Sequence, residues 1–278
     1  MSIYYYYTTQ GILRYKMIEN FDSHDMYNED GMTEWLDLFP YSMYHACYMT
    51  KELEENWSDE KAFFSEVEQC GKYIKENDRV IDIGCGWCGP SYILKNKING
   101  LDITGVTNSK QALPVCKSRN INKMILGDFP KIKNLKYYDV AIMMESYFYM
   151  GKSLEDKINI LKKVRSISSK LVGFFVCDSK LKENQVKTKW NNSGLIMSPK
   201  TLSNILAEAN WDVKVFDIQD YYKEKFGTYI INTIERGLKT KNKTTEDLPM
   251  EIRMFYESYK NKHNKFVNEV KLVFVVAE

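Results

Sequence analysis

The stretch Ile81-Asp82-Ile83-Gly84-Cys85-Gly86-Trp87-Cys88-Gly89-Pro90-Ser91 constrains the chain more than any other. A short apolar run, Arg79–Ile83, leads into Gly84, Gly86 and Gly89, a G-x-G-x-x-G spacing followed by a helix-forming segment. Glycines at those positions let a strand turn tightly into a helix and let the backbone come close to a ligand. The same stretch holds Cys85-Gly86-Trp87-Cys88 and Trp87-Cys88-Gly89-Pro90, which resemble the redox turn of a thioredoxin. Disulfide exchange there needs one thiol to attack and a second, after the proline, to resolve. Ser91 stands where that second sulfur belongs. A metal held by Cys85 and Cys88 needs two more ligands, and neither a second C-x-x-C nor paired histidines occur, so no metal is expected. The nucleotide reading accounts for more residues, with Trp87 and Cys88 packing beneath the loop.

The rest of the chain extends the pattern. Strands are expected at Arg79–Ile83, at Gly100–Val106, at Lys123–Phe129, in a run ending at Glu145, at Leu171–Cys177, at Asp212–Ile218 and at the C-terminal Glu269–Glu278. Helical spacing separates them at Ser91–Lys97, Lys110–Arg119 and Leu154–Ser166, and Ser198-Pro199 opens another helix as N-cap and first residue. Alternating strands and helices imply an α/β, Rossmann-like, doubly wound sheet. The last two strands lack a compact crossover helix between them, so the final one is expected to enter antiparallel. Two helices, Gly31–Phe39 and Asp59–Ile74, are expected before the first of these strands. Residues 1–75 then form an N-terminal helical lid, 76–219 with 267–278 the core, and 220–266 a second, inserted helical lid.

Bulk properties narrow the partners. The 278 residues carry a net charge of +2 with both signs interspersed, which gives no electrostatic reason to expect nucleic acid. The lysine-rich runs 180–189 and 239–243 read as solvated loops. Six irregularly spaced cysteines do not suggest a disulfide framework, and Cys70, Cys85, Cys116 and Cys177 read as reduced core cysteines. With no basic-apolar leader and no apolar run long enough to span a bilayer, a cytoplasmic protein is expected.

Three details refine the ligand. Asp82 lies just before the first glycine, where a carboxylate repels a pyrophosphate and attracts an ammonium. The second strand ends in Gly105-Val106-Thr107, without the acid that an NAD ribose requires there. The third ends in Gly127-Asp128-Phe129, an acceptor for an exocyclic amine beside a flat apolar ring. Together they suit S-adenosylmethionine.

"VIDIGCGWCGPS", "ITGVTNSKQA", "ILGDF" and "MMESYFYM", in this order, resemble class I S-adenosylmethionine-dependent methyltransferases. The branch is the one that includes tocopherol, coclaurine, sarcosine and geranyl diphosphate methyltransferases and cyclopropane fatty acid synthases. The resemblance spans residues 72–177. It implies that Gly84, Cys85 and Gly86 hold the cofactor's amino acid and ribose, with Val106 and Thr107 at the ribose edge and Met144 at the exit of the fourth strand. It also implies that Asp128 and Phe129 flank the adenine. Gln111 follows Ser109 by two positions where the family's glutamine follows by three, which leaves its ribose contact open.

The cyclopropane synthases' bicarbonate residues have no counterpart, since Phe148-Tyr149 and Val176-Cys177-Asp178 stand in their places. "YHACY" around Cys47 resembles the family's N-terminal lid motif and brings His45, with Tyr44, towards the methyl group. Glu145 matches the glutamate-serine segment of the C-methyltransferases, where it could accept a proton or balance a developing cation. Tyr147 and Phe148 could present π faces to a cation. The expected function is methyl transfer to carbon or nitrogen of a small metabolite. The alternatives are C-methylation of an isoprenyl diphosphate, with Mg²⁺ and cations such as Arg14, Lys189 or Arg253; use of the cofactor's aminocarboxypropyl arm; or a silent cofactor-binding subunit. The acceptor and the oligomeric state are not readable from the sequence.

Overall fold

The structure is a computed structural model that describes residues 2–7, 13–18, 38–43, 45–121, 123–189, 194–248, 250–260 and 269–278, the N-terminal strands by backbone alone. Its centre is a seven-stranded sheet of β3 (Arg79–Ile83), β4 (Asp102–Thr107), β5 (Lys123–Leu126), β6 (Tyr138–Met144), β7 (Ser168–Asp178), β10 (Val213–Asp220) and β11 (Val270–Ala277), in spatial order β10-β11-β7-β6-β3-β4-β5. β3 pairs in parallel with both β4 and β6, while β11 runs antiparallel between β7 and β10. The antiparallel last strand is therefore present as the sequence suggested.

Helices cover both faces: α2 (Asp59–Gly71), α3 (Gly89–Lys97) and α4 (Ala112–Ser118) accompany the first half. α5 (Leu154–Ile167) and α6 (Pro199–Glu208) pack with the second. The strands are buried on both sides, so they read as near-continuous apolar runs such as Leu171–Cys177 rather than alternating ones. One core, with Phe63, Val80, Ile142, Phe174 and Phe274, lies under α2 and α3; the other, with Ile81, Leu161, Phe175 and Leu202, lies under α5 and α6. Chain order reverses at β3, which goes outward to β4 and β5 and then back to β6 on its other side. The carboxyl ends of β3 and β6 therefore border the crevice in which open α/β sheets bind ligands.

The segments outside the core differ from expectation in part. Asp59–Gly71 is helical as read, preceded by the short α1 (Lys51–Glu55). Of the helix expected at Gly31–Phe39, all but Leu38 and Phe39 lies outside the described residues, and those two form a turn. The tyrosine run is not helical: β1 (Ser2–Tyr7) and β2 (Leu13–Ile18) form an antiparallel hairpin, as the β-propensity of tyrosine favours. The expected loop 180–189 ends in β8 (Val186–Lys189), paired with β9 (Gly194–Met197), because the buried Leu195–Met197 gives this polar segment an apolar partner. The 220–266 insertion holds α7 (Glu224–Thr240) and α8 (Met250–Lys260).

One corrected expectation concerns sulfur. Cys88 and Cys116 form a disulfide with Cα atoms 5.4 Å apart, so Cys116 is not a reduced core thiol. The spacing gave no hint because the partners sit on different helices, one at the start of α3 and the other within α4. No helix among the described residues is long and apolar enough to cross a membrane.

The N-cap reading is met in detail. Ser198 Oγ accepts from the Thr201 amide at 3.1 Å, with Pro199 in the first turn of α6. Ser198→Ala is expected to lower unfolding stability by about 1 kcal/mol, measured by denaturant titration with an unchanged slope.

Candidate functional site

The site is built where β3 and β6 end. After Ile83 the chain enters the left-handed region at Gly84 (φ +77°) and again at Gly86 (φ +50°). The Gly84 and Cys85 amides both donate to the Val106 carbonyl at 2.9 Å, locking the loop to the neighbouring strand. The two glycines serve different ends. A Cβ on Gly84 would lie 2.4 Å from Ser146 Cβ, so that glycine admits the chain leaving β6. Among the described residues a Cβ on Gly86 would meet nothing within 4 Å, so the loop is open on that side. Asp82 is buried below, accepting from Ser91 Oγ at 2.6 Å. Burial pushes its carboxyl up to about 6, opposed by the Ser91 hydroxyl and by the charge of His45.

The other expected cofactor residues are arranged around this loop. Val106 is buried and contributes its carbonyl, as above. Thr107 Oγ1 accepts from the Ser109 amide, and the Thr107 carbonyl accepts from Gly127 at 2.8 Å, which joins the ends of β4 and β5. Gln111 is half-buried at the start of α4, and Met144 is buried at the end of β6. Asp128 is half-buried, with its carboxylate 3.1 Å from Lys131 Nζ. Phe129 departs from expectation. Its ring is 3 % exposed and sits under the Lys163 ammonium, packed into the core below α5, so it offers no open face. Cys85 is likewise buried, and burial pushes its thiol well up, which leaves it a poor nucleophile.

Glu145 is the residue with most structural effort behind it. It holds φ +53°, a conformation that costs a non-glycine residue energy and needs surrounding contacts to persist. Those contacts are an amide bond to the Phe174 carbonyl, the Ala46 amide donating to Oε1 at 2.7 Å and the Tyr221 hydroxyl donating to Oε2 at 2.9 Å. One carboxylate thus ties the segment after Met43 and the chain leaving β10 to the sheet edge. The same segment is pinned along its length. The Tyr48 amide donates to Ser65 Oγ, its hydroxyl to Asp217, and Met49 exchanges two bonds with the Gln219 amide.

His45 approaches this carboxylate, with Nδ1 3.7 Å from Glu145 Oε1, and a third group joins them. Glu66, in the middle of α2, places Oε2 3.8 Å from the same nitrogen. Its side chain is fully buried; burial first, then the charge of Glu145, holds its carboxyl well above the usual range. Nothing in the sequence singled out Glu66. Its helix reads as amphipathic around Phe63, Val67 and Cys70, and a lone acid on that face carries no motif. Tyr147 is the opposite case, because it does not reach the site. Its ring packs 5.3 Å from Phe175, its hydroxyl donates to the Lys157 carbonyl, and the buried Lys157 ammonium lies 4.4 Å above it. A 3-10 turn at Tyr147–Tyr149 directs Tyr147 to one core and Phe148 to the other. Tyr44 lies outside the described residues, as do the side chains of Arg14 and Lys189.

Solved structures share this architecture. Coclaurine N-methyltransferase, bound to N-methylheliamine and S-adenosylhomocysteine, matches with a TM-score of 0.69 at 14% identity over 88% of this chain and 80% of that one. The cyclopropane synthase MmaA2 of Mycobacterium tuberculosis gives 0.67 at 12% over 92% and 95%. The cyclase SpnF gives 0.68 at 13% over 89% and 91%. The chain has the class I methyltransferase fold. No protein-family model and no curated protein sequence matches it. SpnF, named for a cyclisation, shows that this fold alone does not fix the reaction.

Proposed function

We propose that this chain binds S-adenosylmethionine at the end of β3 and transfers its methyl group to a carbon or nitrogen atom of a small metabolite. The observation that carries the reading is the Gly86 cradle, open above a backbone that curls twice through positive φ, with a buried carboxylate beneath it. The residues present fit the cofactor. Asp82 supplies charge for the ammonium, the Gly84–Gly86 backbone lets a ribose approach, and Asp128 offers an acceptor to an exocyclic amine. When bound, the cofactor supplies an electrophilic methyl on a sulfonium.

The protein's own part is placement and dryness. The pinned segment 45–49 and Tyr221 cover the edge of the sheet, which removes water and holds the acceptor in line. Glu145, aimed by two donors, is placed to take the proton that an attacking nitrogen or carbon releases. Neither aromatic expected to flank a cation is open to one, because Tyr147 and Phe148 are both buried in the cores.

Isothermal calorimetry with S-adenosylmethionine and S-adenosylhomocysteine tests binding, and labelled cofactor incubated with a metabolite extract tests transfer. Binding to both compounds, with a metabolite that gains one methyl and release of S-adenosylhomocysteine, is expected. Release of methylthioadenosine instead would assign the aminocarboxypropyl arm, and no heat with either compound would end the reading.

A further inference from the structure

We propose that His45, Glu66 and Glu145 form a binding site for a divalent first-row transition-metal ion. The three come from different places in the chain: the segment before α1, the middle of α2 and the exit of β6. One ligand atom of each lies within 4.8 Å of the others, a spread that a small inward movement turns into a shared coordination sphere. Glu66 is fully buried, and among the described residues no N–H or hydroxyl donor reaches either of its carboxylate oxygens; the Nδ1 atom of His45 is buried without a hydrogen-bond partner among them as well. Buried polar atoms are paired in the great majority of cases, so the Glu66 carboxylate and the His45 nitrogen, bare beside the Glu145 carboxylate, mark a missing ligand.

The charge at that point is negative. Among the described residues, Glu66 and Glu145 have ion-pair contacts with His45 and with no lysine or arginine. A single proton shared between the carboxylates would pair one oxygen of each and would leave His45 Nδ1 bare. A metal ion takes one atom from every residue and cancels the charge. The donor set also selects the ion. Imidazole with two carboxylates suits Mn²⁺, Fe²⁺ or Zn²⁺ better than Mg²⁺ or Ca²⁺, which favour oxygen alone. The bonds that Ala46 and Tyr221 give to Glu145 act as the outer shell that orients a ligating carboxylate.

Three protein ligands leave open positions for water or for a donor atom of an incoming acceptor. The ion also clips the segment 45–49 to α2 and to the sheet, so its binding orders the cover over the site. This inference needs only the geometry of the cluster; it shares Glu145 with the methyl-transfer reading, and metal binding is measured without turnover.

The test uses the full chain, stripped with a chelator and titrated separately with Mn²⁺, Zn²⁺ and Co²⁺ by calorimetry, with Co²⁺ also followed by its visible absorption. One ion per chain is expected, with a rise in melting temperature on metal addition. Glu66→Gln should weaken binding at least about tenfold and abolish the Co²⁺ spectrum. That variant keeps the shape of the side chain and buries no charge, so its metal-free form should melt close to the parent and remain measurable. Absence of saturable binding, or equal binding by Glu66→Gln and His45→Ala, overturns the proposal and leaves a proton-sharing carboxyl pair.

Discussion

Gly86→Ala is expected to leave the protein folded and to weaken its affinity for S-adenosylmethionine at least about hundredfold. Among the described residues the added methyl strikes nothing, since none of their atoms lies within 4 Å of the ideal Cβ position. The backbone at φ +50° costs an L-residue roughly 1–2 kcal/mol, a loss that a domain of this size survives. What the methyl does occupy is the open side of the loop, where the cofactor backbone contact has to form. Gly84→Ala has the opposite signature. Its Cβ would lie 2.4 Å from Ser146 Cβ and 2.9 Å from Ser146 Oγ, at φ +77°. Ser146 cannot retreat freely, because its hydroxyl donates to the Ile83 carbonyl on β3. A loss of about 3 kcal/mol or more in stability follows, since both backbone strain and overpacking act at once. Thermal melts and calorimetry on the two variants separate the roles. Should Gly86→Ala bind like the parent, the loop does not hold the ligand.

Those two glycines show what the sequence could and could not tell. Their spacing between a strand and a helix is enough to place a ligand loop, because glycine turns through positive φ without steric cost and lets a ligand approach the backbone closely. The sheet was equally legible: runs such as Leu171–Cys177 and Leu272–Ala277 are apolar throughout only when both faces are covered. The N-cap at Ser198 could be read because the signal is local. Long-range placement was not local and was missed. Tyr147 and Phe148 are adjacent in sequence, yet a 3-10 turn sends them to opposite sides of the sheet. Glu66 lies 79 positions from Glu145 along the chain and was hidden within an ordinary amphipathic helix, although the fold brings the two to one point. The Cys88–Cys116 disulfide was missed for the same reason, its partners being 28 residues apart without a diagnostic spacing.

Asp82→Asn is expected to make the free protein more stable at neutral pH while weakening cofactor binding. Burial raises the folded-state carboxyl from 3.8 to about 6, so between those values the folded chain holds a proton that the unfolded chain has released. Folding stability therefore falls as pH rises from about 4 to about 6, and the full loss, about 3 kcal/mol, is present above that window. Ser91 is the hydroxyl that offsets part of this cost, and His45 the charge that bears on it. Asparagine carries no charge to bury, so the variant should melt higher than the parent at pH 7, with the difference vanishing as pH approaches 4. Binding runs the other way. A cationic ligand favours the ionised carboxylate, so the parent's affinity for S-adenosylmethionine should drop up to about tenfold for each pH unit below about 6. In the variant that slope disappears, and affinity at pH 7 is about ten- to a hundredfold lower. A carboxylate kept at a stability cost is kept for a cation, and calorimetry across pH 5–8 on both proteins reads that exchange directly. Parallel pH profiles for the two would show that Asp82 faces no cation.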